Sequence, residues 1–544
     1  MAAPQMFRHY FLPGQIVFHV ARAAGSSDAE AVSAVQALVN TGLGEFAAQS
    51  SLMQSINEGK VQVNAQAGEV GRATVVVDLG LGQSPEEMDA LVQQVNALQA
   101  TLPPAQAEAF SAQSVTTNVI GVSLNWLMSG AQGAVKGVGG PGAYPVEVAN
   151  PTQAFSQNFN IEFPGMNWTA SATPQEINIV VLDTAPQLAL LAARLDELVI
   201  QRLAAGTQHP VLHRLLGSSK NLNTSLSADG NWMTVSGNNL PDSNLSFRVS
   251  YNLARDPNRR LIMEALLDHT TGVSIEDHDY PMGDHGLFAA GNIARLIQMI
   301  DPRVKVNLHL VQVLSEYGVG TLETLEQGLS WALASGVQGK PLVINCSLML
   351  TVPRDAAHTF EFINLGLTQA TVNTILATIA PSMALLEAEF GAAAVDTRYS
   401  GVNIVAAAGN DGIPGLPPPA ARYPAAFASV MGVAAQNVDM SLAPYSNLRD
   451  DPFAQGSRAF GGEVEPVGSG WRARPDTGLI GLYLGLFPTD RSLFPSNQGP
   501  VMSVNGWGAW AGTSFASPRV AAALGLLRAN GLTAAAAAAA LAIP

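Results

Sequence analysis

Cysteine is nearly missing: the 544 residues hold one, Cys346. A single thiol forms no intrachain disulfide and excludes every Cys-pair zinc pattern. Charge is scarce as well. Charged residues make up 13% of the chain, about half the usual share, while 47% is apolar, the reverse of a disordered composition. Basic residues are the rarer sign, 27 Lys and Arg against 42 Asp and Glu, for a net charge of −15. That balance argues against a nucleic-acid partner. No uncharged apolar run reaches the roughly 18 residues of a membrane span, so no membrane partner is expected. The Ala-rich end, Thr533 to Pro544, is too short and too weakly apolar to span. The opening MAAPQMFRHYFLPGQIVFHV does not read as a secretory leader, because Arg8, His9, Pro13 and Gly14 interrupt any apolar stretch. A cytoplasmic protein is the expectation, with a chain that begins after a removed leader as the alternative.

What the chain does have is a change of pattern along its length. Over residues 1–130, strands at Gln15–Val20, Val61–Ala65, Ala73–Leu79 and Val115–Trp126 alternate with helices at Asp28–Val39 and Ser84–Leu98. Ser84-Pro85-Glu86-Glu87 supplies a cap, a first-turn proline and early acids. The order β-α-β-β-α-β predicts a small α+β N-terminal domain of split-βαβ type. A glycine-rich linker is expected over 131–173. From residue 174 to 544 the pattern turns to buried β-branched runs, at Ile177–Leu182, Val304–Leu314, Pro341–Leu348, Val402–Ala408 and Ser429–Ala435. Helices at Leu322–Ala334 and Thr371–Ala393 lie between some of them. This predicts an α/β fold with a mostly parallel sheet flanked by helices. In such sheets active residues gather at the carboxyl ends of the strands. Stretches near 185–280 and 450–500 break the pattern and read as insertions.

Four positions invite chemistry. Asp183 ends Val-Val-Leu-Asp-Thr-Ala, where a buried carboxylate needs a partner. His285 opens a helix in Gly-Asp-His-Gly-Leu-Phe-Ala-Ala-Gly, whose small residues permit close packing. Asn410, in Ala-Ala-Gly-Asn-Asp-Gly, reads as a turn residue or as an amide donor. Ser514, in Gly-Thr-Ser-Phe-Ala-Ser-Pro, reads as an N-cap or as a nucleophile at the positive end of a buried helix. Each alone has a plain structural reading. Together, and in this order, they resemble the subtilisin-like serine protease family, or subtilases, with its Asp…His…Ser sequence.

The resemblance covers about Pro174 to Gly531, apart from the insertions. It implies the subtilisin-like three-layer fold and a serine endopeptidase acting on a protein or peptide substrate. It also implies roles: Ser514 as nucleophile, His285 as base, Asp183 as its orienting acid and Asn410 as oxyanion donor. Ser347-Leu348-Met349 resembles the family's Ser-Leu-Gly substrate-binding strand, with Met in place of Gly, and Ala407, Ala408 and Gly409 would form the opposite wall. Residues 1–130 resemble a subtilase propeptide in position and element order, which implies intramolecular inhibition; a permanent docking domain is the alternative. A rival reading keeps the fold in a weakly active binding or regulatory protein whose cleft is closed by Met349 or the insertions. A small-molecule esterase would share the chemistry. No cofactor is expected and no metal ligand is assigned, while a structural calcium ion has no readable pattern here. Three further patterns read as structural: His209 with His213, the acidic group Asp277, His278, Asp279 and Asp284, and Gly336-Val-Gln-Gly-Lys340-Pro341, which lacks Walker spacing.

Overall fold

The computed structural model describes residues 11–23, 25–42, 47–65, 72–79, 85–102, 116–130, 143–148, 171–201, 210–217, 219–237, 244–254, 283–316, 318–350, 352, 369–412, 414–448, 456–467, 470–487 and 501–543. His209, the group Asp277, His278 and Asp279, and the glycine-rich stretch 131–142 lie outside them. No described helix is long and apolar enough to cross a membrane.

The first elements are β1 (Phe11–Ala21), α1 (Asp28–Gly42), α2 (Ala47–Asn57), β2 (Val61–Ala65), β3 (Arg72–Asp78), α3 (Pro85–Ala100) and β4 (Asn118–Gly130). Their strands form an antiparallel sheet in the order β4-β1-β3-β2. Ile16, Phe18 and Val20 of β1 and Val75 and Val77 of β3 share one core with Val35 and Val39 of α1 and Leu91 and Val95 of α3. The period of two on the strands thus meets the four-residue spacing on the helices.

After the short strands β5 (Ala143–Tyr144) and β6 (Val146–Glu147) come β7 (Ile177–Asp183), β8 (Asn223–Leu226), β9 (Trp232–Ser236), β10 (Leu245–Asn252), β11 (Val306–Gln312), β12 (Val319–Thr321), β13 (Leu342–Cys346), β14 (Leu348–Leu350), β15 (Val402–Ala407), β16 (Met431–Gln436) and β17 (Gly456–Phe460). Nine of them build one sheet, ordered β17-β16-β15-β13-β7-β11-β10-β9-β8. Neighbours from β10 to β17 are parallel, and β9 and β8 close that edge antiparallel. The helices are α4 (Leu188–Leu195), α5 (Pro210–Leu216), α6 (His285–Ile300), α7 (Leu322–Ser335), α8 (Gln369–Ala394), α9 (Thr513–Ala529) and α10 (Ala534–Leu541).

The stretches near 185–280 and 450–500 are not wholly outside this sheet, as their broken pattern suggested. They supply β8, β9 and β10 at one edge and β17 at the other. Solvent exposure explains the broken pattern for β8, every residue of which is exposed, whereas β9, β10 and β17 mix buried and half-buried positions.

Alternation along β7 sets out the layers. Ile177, Ile179 and Val181 join the core made with α6 and α9, whereas Val180 and Leu182 join the core on the other face, with Leu325 of α7 and Phe390 of α8. That second core continues into the N-terminal sheet through Trp126 and Phe11. Every residue of α9 is buried. The carboxyl ends of β7, β13 and β15 and the start of α9 are thereby fixed near one another, because each belongs to a packed element with no freedom to slide.

Candidate active site

Asp183 is the last residue of β7 and is fully buried. Two donors offset the cost of burying its carboxylate. The Thr184 N–H donates to Oδ1 at 2.6 Å, and Nδ1 of His285 lies 2.8 Å from Oδ1 and 2.9 Å from Oδ2. Such a bond places the imidazole proton on Nδ1 and leaves Nε2 as the basic nitrogen. Thr184 then ties the two segments together. Its hydroxyl donates to the Gly283 carbonyl at 3.1 Å and accepts the Gly286 N–H, also at 3.1 Å. Trp510 and Phe515 pack against the imidazole, with ring centroids 5.3 and 4.9 Å away. Its Nε2 takes part in no hydrogen bond among the described residues.

Asp284, which the sequence marked only as part of an acidic group, stands at the entry to α6. Its Oδ2 accepts the N–H groups of Leu484 and Gly485. Burial outweighs those bonds and pushes its carboxyl up to about 6. An ordinary Asp titrates near 4, so the folded protein holds this proton more tightly than the unfolded chain. The resulting stabilisation is complete below about pH 4 and is lost as the pH rises through about 6. A shift of about two units corresponds to about 3 kcal/mol. Asp284→Asn therefore flattens the fall in Tm between pH 4 and 6.5, measured on chains that also carry Ser514→Ala to prevent self-digestion. Two parallel Tm curves would contradict the assignment.

Ser514 is the second residue of α9, the helix packed across β7, β13, β15 and β16. Its Oγ donates to the Ser347 carbonyl at 3.3 Å, so the hydroxyl is turned toward the strand and not toward His285. Ser347 in turn donates its hydroxyl to the Ser514 carbonyl at 2.8 Å, and Asn345 Nδ2 donates to that hydroxyl at 2.8 Å. The nucleophile candidate and the end of β13 are thus bonded from both sides.

Asn410 lies three residues past β15. Its Oδ1 accepts from the Thr513 N–H at 2.9 Å and from the Thr513 hydroxyl at 3.0 Å. Those two bonds identify the oxygen end of the side chain and fix the direction of the NH₂ end. The neighbouring Gly409 has a φ of +115°, and a Cβ there would meet Asn447 Nδ2 at 2.8 Å, so no other residue fits. Beyond Asn410, Asp411 is held by Arg422 at 2.8 Å through both carboxylate oxygens.

The two proposed walls are adjacent, since β13 and β15 pair with Cys346 opposite Ala406. Ser347, Leu348 and Met349 follow one strand, and Ala407, Ala408 and Gly409 finish the other; the five that carry side chains are buried to 1% exposure or less, and Gly409 is buried too. A strand from the N-terminal sheet covers the edge of the first wall. The end of β4 pairs antiparallel with β14, Gly130 opposite Leu348 and Ser129 opposite Met349. On its other side it pairs antiparallel with β12, Ser129 opposite Val319. Sequence reasoning missed β12, Thr513 and the aromatic pair around His285. Only a Thr-x-x-Thr capping box after β12 gave a local sign.

The subtilase family model matches residues 267–542. The chain belongs to the subtilase family. Among curated proteins, subtilisin DY of Bacillus licheniformis is 27% identical over 259 residues, 47% of this chain and 67% of the relative. The minor extracellular protease Epr of Bacillus subtilis (strain 168) is 29% identical over 173 residues, 31% of this chain and only 20% of the relative. Subtilases are serine peptidases, so the class of substrate is protein or peptide. The α/β sheet with its flanking helices accords with that family. Asp183 precedes the matched segment, and it is the hydrogen bond to His285 that connects it to the subtilase part of the chain.

Proposed function

We propose that this subtilase is an endopeptidase working through Asp183, His285 and Ser514, inhibited by its own N-terminal split-βαβ unit until that unit is cut away. The observation that carries the reading is the buried 2.8 Å Asp183–His285 bond, at the carboxyl edge of the sheet and beside the helix start that holds Ser514. Rotation about χ1 takes the Ser514 hydroxyl from the Ser347 carbonyl to Nε2 of His285. The imidazole accepts the proton as Oγ attacks the substrate carbonyl, then returns it to the leaving amine. Asp183 stays ionised, keeps the Nδ1 proton in place and stabilises the imidazolium. Asn410 Nδ2 and the Ser514 N–H receive the oxyanion, a role worth about 3–4 kcal/mol for one side-chain donor in subtilisin. Water then hydrolyses the acyl-enzyme.

Inhibition follows from β4. An extended substrate adds to a sheet edge as a strand, and the slot between β12 and β14 is filled by residues 127–130. After Gly130 the chain continues with Ala131; before Leu348 stands Ser347, whose carbonyl receives Ser514. Extrapolating this register past Gly130, we infer that Ala131–Gln132 is the bond to be cut. Incubated wild-type protein gains a new N-terminus at Gln132, read by mass spectrometry, and the Ser514→Ala chain does not. If both chains remain full length, the inhibitor reading fails. The burial of Ser514 also favours the rival, an occluded binding protein of the same fold. Wild type freed of residues 1–131 that takes no fluorophosphonate label would decide for it.

A further inference from the structure

The face of the N-terminal sheet turned to the body carries a second set of side chains that catalysis does not use. His19 of β1, Glu326 of α7 and Glu389 of α8 are all buried, and their ligand atoms lie within 4.8 Å of one another. Glu326 is 1% exposed, and apart from the nearby Thr74 hydroxyl neither of its oxygens meets a hydrogen-bond partner among the described residues. His19 Nδ1 stands 3.4 Å from Glu326 Oε1 without forming a hydrogen bond. The other ring nitrogen, Nε2, lies 3.1 Å from the Ser123 hydroxyl. Assigning the proton to Nε2 satisfies that bond, fixes the ring and leaves the Nδ1 lone pair facing Glu326, the arrangement of a metal-ligating imidazole with an outer partner.

The charges point the same way. Glu323 of α7, Glu389 of α8, and Arg72 and Thr74 of β3 all act on Glu326, so three carboxylates meet one guanidinium. Carboxylates drawn together between packed layers are costly to ionise unless a cation compensates them.

We propose that His19, Glu326 and Glu389 bind one divalent transition-metal ion of the zinc type, fastening the N-terminal sheet to α7 and α8. Imidazole together with carboxylate suits zinc better than calcium or magnesium, which prefer all-oxygen sets. Ligands on a tetrahedron with bonds of about 2.0–2.1 Å stand about 3.4 Å apart, the spacing of Nδ1 and Oε1. A fourth position is left for the Thr74 hydroxyl or water. Sequence spacing carries no sign of the site, because its three residues come from distant segments that only the docked sheet brings together. The inference does not depend on the catalytic reading.

The test uses the full-length, untagged Ser514→Ala chain, which stays intact whether or not the wild type cuts itself. After EDTA treatment and dialysis it is titrated with Zn²⁺ by calorimetry and with Co²⁺ by visible absorption. The expected result is one equivalent of Zn²⁺ per chain and the strong ligand-field bands of four-coordinate Co²⁺. Adding Glu326→Gln or His19→Gln weakens binding by more than about 100-fold, beyond the usual cost of losing only an outer partner. No stoichiometric uptake by the Ser514→Ala chain overturns the proposal. So does uptake that both substituted chains retain. Because the first readout needs no change within the cluster, misfolding of either substituted chain leaves the test intact.

Discussion

Ser514→Ala lowers kcat on a peptide substrate by about 10⁶-fold, the loss that follows removal of the nucleophile in subtilisin itself, and His285→Ala does nearly as much. The double substitution is scarcely worse than either alone. The reason lies in the division of labour: without the hydroxyl no acyl-enzyme forms, and without the imidazole the hydroxyl keeps its proton. Neither half of the pair works by itself. Asp183→Asn costs less, about 10⁴-fold, because the imidazole survives but settles in the wrong tautomer. Chains that cannot cut themselves are opened in trans with an unrelated protease that is then irreversibly inhibited and removed before assay, and the rate is followed by release of a chromophore from a short peptide. A His285→Ala enzyme that keeps a tenth of the activity would remove the imidazole from the mechanism.

Gly286→Ala is expected to be nearly as damaging by another route. A Cβ at this position would lie 2.2 Å from the Thr184 carbonyl oxygen and 2.8 Å from Asp183 Cβ. The first is backbone and cannot swing aside. Relief requires α6 to lift off the end of β7, and the 2.8 Å bond between Asp183 and His285 is the contact that opens. Overpacking of this kind costs about 1–3 kcal/mol in stability, and a misplacement of about 1 Å at a reacting group costs about 100-fold in rate. We expect kcat to fall at least 100-fold, with Tm lower by several degrees. Gly291→Ala, five residues along the same helix, is the control. Its new Cβ would meet the Leu482 side chain at 2.9 Å, and that side chain can turn away. Equal kinetics for the two variants would show that close approach at Gly286 is not what aligns the imidazole.

The residues that carry the proposed chemistry were visible in the sequence because each stands at the end of an element with a strong local pattern. Asp183 closes an almost continuous β-branched run, Ser514 stands at the start of a helix buried on all sides, and His285 sits among small residues that announce close packing. Helix positions were legible for the same local reason: Ser84-Pro85-Glu86-Glu87 marks a start, and the helix begins at Pro85. What local pattern does not hold is partnership between distant segments. Nothing in residues 127–130 specifies that they pair with Leu348–Leu350 on one side and Val319–Thr321 on the other. The same holds for β8 to β10. Exposed or alternating strands at a sheet edge look like an interruption until the edge they join is known. Asp284 was visible only as one of an acidic group because its partners, the N–H groups of Leu484 and Gly485, lie two hundred residues away. His19, Glu326 and Glu389 were hidden by the same distance.

Labelling with a fluorophosphonate, followed by peptide mapping, tests the central claim most directly. Self-cut wild-type protein should carry one adduct, on Ser514, and the His285→Ala chain opened in trans should carry almost none, since the hydroxyl then lacks its base. A wild-type chain cut after Ala131 and freed of residues 1–131 that still takes no label at Ser514 would contradict the account.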